Sequence, residues 1–457
     1  MASVYVLIIL CFIAVVADSA APSTHILLNC GASGNSSDMD GREWAYDTSH
    51  ALSSPSTSAS NADHQDPSVQ TVPYMTARTS KSAFTYTFRA APGRAFVRLY
   101  FYPSDYDHGN LTASDALFSV TANPYTLLDS FNASVTAQAS ATAHITREFA
   151  LSIPSAGVLS LTFSPSRPGA SYAFVNGIEV VSMPELFGSV QFNSPVLLNS
   201  ATPTQYIVDA NTAFETVARL NVGGSSLSPG ADSGGLYRSW VDDSPYIFGA
   251  AVGVSYPKDP NMTIRYPTTV PGYVAPPEVY GTARSMGPNA AINLNYNLTW
   301  IVPVDAGFYY IVRLHFCEIQ FTVSGLNKRV FDIFIDNQTA AQTVDVIDLS
   351  GGAGIPYYID FVVAISGGGG GEEELWVALH PNVVTRPVYY DAILNGMEVF
   401  KLNDSAGNLA GPNPTVRVEK PASVGPVWVG RSSSVGSMGR GLGVVGGLLC
   451  TLVLCWL

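Results

Sequence analysis

Three short stretches of this chain each occur twice, in the same order, and that duplication restricts the fold more than any single residue does. Val97-Arg98-Leu99-Tyr100-Phe101 returns as Val312-Arg313-Leu314-His315-Phe316. Each copy is followed, at nearly the same interval, by an Asn-Gly-x-Glu-Val ending, at Asn176 to Val180 and at Asn395 to Val399. Each is preceded by Arg-x-Trp-x-x-Asp, as Arg42, Trp44, Asp47 and as Arg238, Trp240, Asp243. The chain therefore reads as two copies of one domain. Its 457 residues are too many for one ordinary core and enough for two.

The local patterns are those of strands. Phe84 to Phe88 alternates apolar and polar residues, as a half-buried strand does. Further short strands are expected at 25–31, where a Gly-containing turn ends the strand, and at 96–102, 116–120, 142–149, 158–163 and 173–181. The second copy repeats them at 293–300, 308–316 and 330–335. Residues 48–70 read as a surface loop, and 223–235 as an extra loop of the second copy. No window carries a long amphipathic helix. The fold class is therefore all-β, two tandem antiparallel sandwiches, with residues 24–183 and 200–402 as the domains. The connection between them is short and partly apolar, which predicts packing side by side.

Charge and cysteine content exclude several functions. The net charge of −13 argues against nucleic acid, which needs Lys and Arg, and is compatible with a basic partner. Leaving aside Cys11, Cys450 and Cys455 near the termini, only Cys30 and Cys317 remain. They cannot form a disulfide framework or a cysteine metal site, and read as buried thiols; a bridge between them is the alternative. No nucleophile elbow, phosphate loop or metal-ligand motif is present, so neither catalysis nor a cofactor is expected. A glycosidase on paired carboxylates is the least favoured alternative, since Asp242-Asp243 would diverge if both lie in one strand, and Glu372 to Glu374 follow a Gly run that reads as a solvated loop.

Binding is the better reading. The chain holds 23 Tyr, 21 Phe and 6 Trp. Loop-borne tyrosines able to stack on sugar or anchor a peptide are Tyr102, Tyr106, Tyr237, Tyr246, Tyr273 and Tyr280, each with core packing as the plainer alternative. Arg94 and Arg98 share one strand face. They are the candidates for an acidic ligand, or else belong to a solvated strand edge. The Arg-x-Trp-x-x-Asp repeats predict a structural lock, an Arg–Asp pair over a buried tryptophan, with a ligand-facing tryptophan as the alternative.

The ends suggest a surface protein. The apolar run from Tyr5 to Val16, followed by small residues, reads as a signal peptide within residues 1–21. Asn-x-Ser/Thr sequons at Asn35, Asn110, Asn132, Asn261, Asn297, Asn337 and Asn403 are candidate glycosylation sites. Residues 403–441 read as a Gly/Ser/Pro-rich stalk and 442–457 as a hydrophobic tail. The tail is either a glycolipid-anchor signal, with attachment near Ser432 to Ser434, or a transmembrane segment, complete or clipped.

Leu27 to Gly31, Arg42-x-Trp44-x-x-Asp47, the paired Val-Arg-Leu-x-Phe strands, His315 to Ile319 and the two Asn-Gly-x-Glu-Val endings together resemble the tandem malectin-like ectodomain of plant receptor kinases of the FERONIA group, over residues 24–402. The resemblance implies two jelly-roll-like malectin-like sandwiches. It also implies binding of small basic secreted peptides of the rapid alkalinisation factor type, of pectin-like wall polysaccharide, or of both, with a membrane co-receptor as a further partner. Those receptors continue into a kinase whose motifs this sequence lacks. The expectation is therefore a membrane-held binding partner, a decoy or a truncated receptor.

Overall fold

The computed structural model describes residues 22–47, 51–53, 56–187, 195–198, 204–249, 253–367 and 371–415. The expected leader, most of the stalk and the apolar tail lie outside them.

One sheet of 13 strands runs through both copies. In the N-terminal half its order is Ile145–Ile153, Gly93–Phe101, Gly177–Ser182, His25–Asn29, Glu43–Tyr46. In the C-terminal half the same order recurs as Tyr357–Ala364, Tyr309–Phe316, Gly396–Leu402, Phe214–Asn221, Val241–Asp242. Even the direction of pairing is copied, since the last step is parallel in both halves. The halves join where Phe149 pairs with Glu215 and Ala150 with Phe214. Side-by-side packing is thus realised as a continuous sheet.

Alternation along the repeated strands sends side chains to two different surroundings. Val97, Leu99 and Phe101 face a five-stranded sheet and pack with Phe84, Tyr86, Phe118 and Phe163. Val312, Leu314 and Phe316 face a four-stranded sheet and pack with Trp300, Phe331, Leu375 and Val377. These are the two sandwiches. The other face carries Phe96 and Arg98, or Ile311 and Arg313. It is covered by Leu236, Trp240, Val274 and Tyr280 from a long excursion of the second half, and by Leu186 and Phe187 from the connection. Each such large apolar side chain contributes roughly 2 kcal/mol when buried, which holds segments with little regular structure in place.

Several local expectations are corrected. Within 48–70 lie two short strands, Ala51–Ser53 and Ser58–Asn61. The expected strand 173–181 is interrupted at Asn176. Where 293–300 alternates, a helical turn Ala290–Asn293 comes first, because the Asn289 side chain accepts from Ile292 N, and the strand starts only at Leu298. Glu372 to Glu374 open a strand, Glu372–Pro381, paired with Pro303 to Asp305, and are exposed. Residues 403–415, expected to begin the stalk, return over the N-terminal half. Asn413 Nδ2 donates to Ser130 O at 2.7 Å, and Leu409 is fully buried in the N-terminal core.

Candidate ligand-binding cleft

The repeated motifs build twin anchors beneath this sheet. Asp47 accepts from Arg78 Nε at 2.9 Å, Arg78 Nη2 at 2.6 Å, Tyr86 OH at 2.6 Å and Gly31 N at 3.1 Å. Asp243 accepts from Arg284 Nε and Nη2, both at 2.7 Å, from Trp300 Nε1 at 2.8 Å and from Gly223 N at 3.0 Å. Gly31 and Gly223 have φ of +77° and +70°, and a Cβ on either would collide with the carbonyl of Ala77 or Ala283. Two buried asparagines complete the pair. Asn176 Nδ2 donates to Tyr74 O and Thr76 O, and Asn395 Nδ2 to Tyr280 O and Thr282 O.

The expected lock over tryptophan therefore exists with different partners. Trp44 and Trp240 are fully buried, and Arg42 and Arg238 each lie 5.6 Å from the ring centroid of their own tryptophan. Yet the nearest carboxylates to those arginines come earlier in the chain, Asp38 at 2.8 Å and Asp232 at 2.8 Å, and Arg42 also meets Glu179 at 3.2 Å. Asp47 and Asp243 clasp Arg78 and Arg284 instead. Those arginines belong to a fourth echo, Tyr74-x-Thr76-Ala77-Arg78 and Tyr280-x-Thr282-Ala283-Arg284, which a search for repeats would have found.

A ladder of alternating charge crosses the join on the covered face. Its members are Asp360, Arg313, Glu398, Arg219, Glu148, Arg98 and Glu179, all buried. Arg313 meets Asp360 at 2.7 Å, and Arg219 meets Glu398 at 2.7 Å and Glu148 at 2.8 Å. Arg98 meets Glu148 at 2.6 Å and Glu179 at 3.0 Å. Burial alone would raise the Glu148 carboxyl, but Arg219 and Arg98 outweigh it and hold it at about 2. Glu398 and Glu179 are also raised by burial and pulled lower overall, chiefly by Arg219 and by Arg98. Asp360 moves the other way, because burial exceeds the pull of Arg313.

This arrangement fixes an acid response. A carboxylate depressed in the folded state adds stability above its unfolded value, near 4.5, and loses it as pH falls toward the folded value. Glu148 by itself supplies roughly 3 kcal/mol at neutral pH by that linkage. The urea midpoint is therefore expected to drop between about pH 5 and pH 2, and Glu148→Gln to flatten the slope in that window. An acid slope identical in that variant would show that the ladder does not carry it.

Most of the expected ligand residues sit inside. Arg94 and Arg98 are buried, Arg98 beneath the excursion of the second half and Arg94 beneath the segment that leads into Phe214–Asn221. Arg94 donates to Thr212 O at 2.6 Å and Arg98 to Leu236 O at 2.9 Å. Tyr102, Tyr106 and Tyr280 are buried as well. The Tyr106 hydroxyl donates to Tyr102 O, and that of Tyr280 lies 2.9 Å from His315 Nδ1. Tyr237 is half-buried, stacked on His25 at 4.2 Å, and Tyr273 packs half-buried on the apolar cluster under the excursion. Cys30 and Cys317 are free and buried in different halves, and burial pushes both thiols up. Asp243 is engaged as above while Asp242 accepts from Ser244 N, so the two do not converge. Among the described residues no three His, Cys, Asp or Glu side chains are grouped to hold a metal ion.

Of those candidates, Tyr246 lines an open cavity. It is a cleft of about 700 Å³ between the two sandwiches, on the side opposite the ladder. Its floor is the join itself. Arg147 pairs with Glu215 at 2.9 Å, and Lys401 with Glu215 and, at 2.7 Å, with Asp305. Asp129 stands on the N-terminal wall, and Glu372 and Glu374 on the C-terminal wall, all three exposed. The lining thus holds five carboxylates against two cations, both already paired. Such a cleft suits the cationic side chains of a ligand. Sequence reading missed it because its walls come from distant parts of the chain.

Comparison with known proteins agrees with this architecture. The malectin-like domain family is matched over residues 28–402. The receptor-like protein kinase FERONIA of Arabidopsis thaliana is 54% identical over 399 residues, covering 86% of this chain and 44% of FERONIA. Receptor-like protein kinase ANXUR2 of the same plant is 43% identical over 414 residues, covering 89% of this chain and 47% of ANXUR2. The chain thus spans about half the length of these relatives. Among solved structures, plant receptor-like kinase FER superposes with a TM-score of 0.79 at 53% identity, over 86% of this chain and 100% of that one. A structure of plant peptide RALF23 in complex with FER and LLG2 gives 0.77 at 52% identity, over 86% of this chain and 99% of that one. Sequence, sheet order and twin anchors lead to one assignment: the chain belongs to the malectin-like domain family, in the tandem two-sandwich form of the FERONIA and ANXUR ectodomains.

Proposed function

We propose that this chain is a ligand-recognition module of the cell surface that takes a small basic secreted peptide in the cleft and performs no catalysis. The observation that carries this reading is the likeness to FER, which has been solved with the peptide RALF23 and with LLG2. The acidic lining of the cleft supports it, because carboxylates on both walls attract Lys and Arg and steer their approach. Absence of catalysis is supported by the engagement of Glu215 in two ion pairs and by the burial of His315, held between Tyr280 and Glu398. A co-receptor at the membrane would complete the complex, with residues 24–183 and 200–402 as the two domains. Sequons on exposed residues favour passage through the secretory pathway and display outside the plasma membrane. No helix among the described residues is long and apolar enough to cross a membrane.

An acidic wall polysaccharide is the weaker ligand. The arginines that were to hold it, Arg94 and Arg98, are enclosed. The test is calorimetric titration with a synthetic rapid alkalinisation peptide at about 50 and 300 mM salt. The affinity is expected to fall with salt, and Glu372→Lys with Glu374→Lys to weaken it by about tenfold, or 1.4 kcal/mol. Both glutamates are exposed, so the double variant should fold. Salt-independent binding, or unchanged affinity in that variant, would overturn the cleft reading.

A further inference from the structure

A second hollow, of about 530 Å³, lies on the outer face of the four-stranded sheet of the C-terminal half. Its lining is aromatic, with Phe248, Tyr296, Phe334 and Trp376. Phe248 is 51% exposed and stands 4.7 Å from the Trp376 ring, centroid to centroid. Rings left open to water in this way are costly unless something apolar covers them. The same hollow is lined by two sequon asparagines, Asn297 and Asn337. They are far apart in sequence, Asn297 just before the strand Leu298–Asp305 and Asn337 in the turn between Phe331–Ile335 and Gln338–Val344. Both are exposed, and neither side-chain amide is hydrogen-bonded among the described residues. Of the other five sequon asparagines, Asn35, Asn110, Asn132 and Asn403 each donate their amide to a protein acceptor, and Asn261 is exposed.

We propose that the first sugars of the chain's own N-linked glycans, on Asn337 and Asn297, lie on this aromatic shelf and cover it. A pyranose ring has an apolar face of C–H groups that stacks on Phe and Trp, while its hydroxyls stay in water. The attachment points sit at the rim of the hollow, so the sugar is delivered to the rings by a covalent tether at high effective concentration. The glycan here is a structural part of the C-terminal sandwich. The inference rests on passage through the secretory pathway, and is independent of which peptide occupies the cleft.

The experiment uses the full chain from a glycosylating secretory host. Mass spectrometry of glycopeptides reads occupancy at Asn297 and Asn337, with Asn261, an exposed sequon away from the shelf, as reference. On the folded protein, one enzyme trims glycans to the first N-acetylglucosamine and another removes them entirely. Trp44, Trp240 and Trp300 are fully buried, so Trp376 is the tryptophan of the described residues open to a quencher. Complete removal is expected to raise acrylamide quenching of Trp376 at least about twofold, the trimmed form to stay near the untreated value, and Trp376→Phe to abolish the rise. Asn297→Gln with Asn337→Gln should reproduce the rise, and Asn261→Gln should not. Occupied Asn261 with Asn297 and Asn337 both bare would overturn the inference while leaving secretory routing intact. Quenching unchanged by glycan removal would overturn it as well. So would binding of an added neutral wall oligosaccharide at the shelf of the fully glycosylated protein, since the shelf would then be vacant.

Discussion

Replacing Arg219 by alanine is expected to cost about 3–5 kcal/mol of stability, read from urea unfolding. Arg219 lies on Phe214–Asn221, the strand that joins the halves through two registered residue pairs. Its Nε donates to Glu398 of the C-terminal half at 2.7 Å, and its Nη2 to Glu148 of the N-terminal half at 2.8 Å. The guanidinium also lies over Phe96 and Trp240, at 5.6 and 5.7 Å from their centroids. Alanine leaves two buried carboxylates facing one another with less compensation and opens a void between two rings. Arg219→Lys keeps the charge but loses the planar fork, so a smaller loss of about 1–2 kcal/mol is expected. Adding Glu148→Gln to Arg219→Ala should recover part of the deficit, because one of the two buried carboxylates that lost Arg219 is then removed, Arg98 keeping Glu179 as its partner. A loss within about 0.5 kcal/mol for Arg219→Ala would mean that the ladder is not what ties the halves together.

The ladder also explains what a sequence reading could reach. Repetition and alternation are local properties, so the duplicated strands Gly93–Phe101 and Tyr309–Phe316 and the two sandwiches were legible. Alternation also placed Arg94 and Arg98 on one face, correctly. What it could not say was what lies on that face, since the cover comes from Asp209, Thr212 and Leu236, well over a hundred positions later. The same limit explains the tyrosines. Tyr102, Tyr106 and Tyr280 flank turns, and turn residues are usually exposed. Here they are enclosed by hydrogen bonds to Asp66, Asn176 and His315, each from another segment. The cleft was illegible for a stronger reason. Glu215 and Lys401 are adjacent only because Phe214–Asn221 pairs with Gly396–Leu402, and Arg147 joins them only across the seam between the copies.

Alanine at Asp243 is expected to be as damaging as at Arg219, about 3–5 kcal/mol, although Asp243 touches no ligand cleft. Its two oxygens take four donors, from Gly223, Arg284 and Trp300. These come from the end of one strand, from a second strand and from the facing sheet, so one carboxylate fixes three layers that are remote in sequence. Without it a buried guanidinium has lost its counter-charge, and an indole and a backbone N–H have lost their acceptor. Asp243→Asn keeps the shape yet turns an NH₂ group toward donors, so it should cost nearly as much. The twin provides the control. Asp47 takes the same number of donors, from Gly31, Arg78 and Tyr86, and Asp47→Asn should fall within about 1 kcal/mol of Asp243→Asn. Equal losses would show that both copies retained the anchor as the device that closes each sandwich. A large loss at one site with almost none at the other would show that the duplication survives there in geometry alone, and that the surviving half depends on the shared sheet.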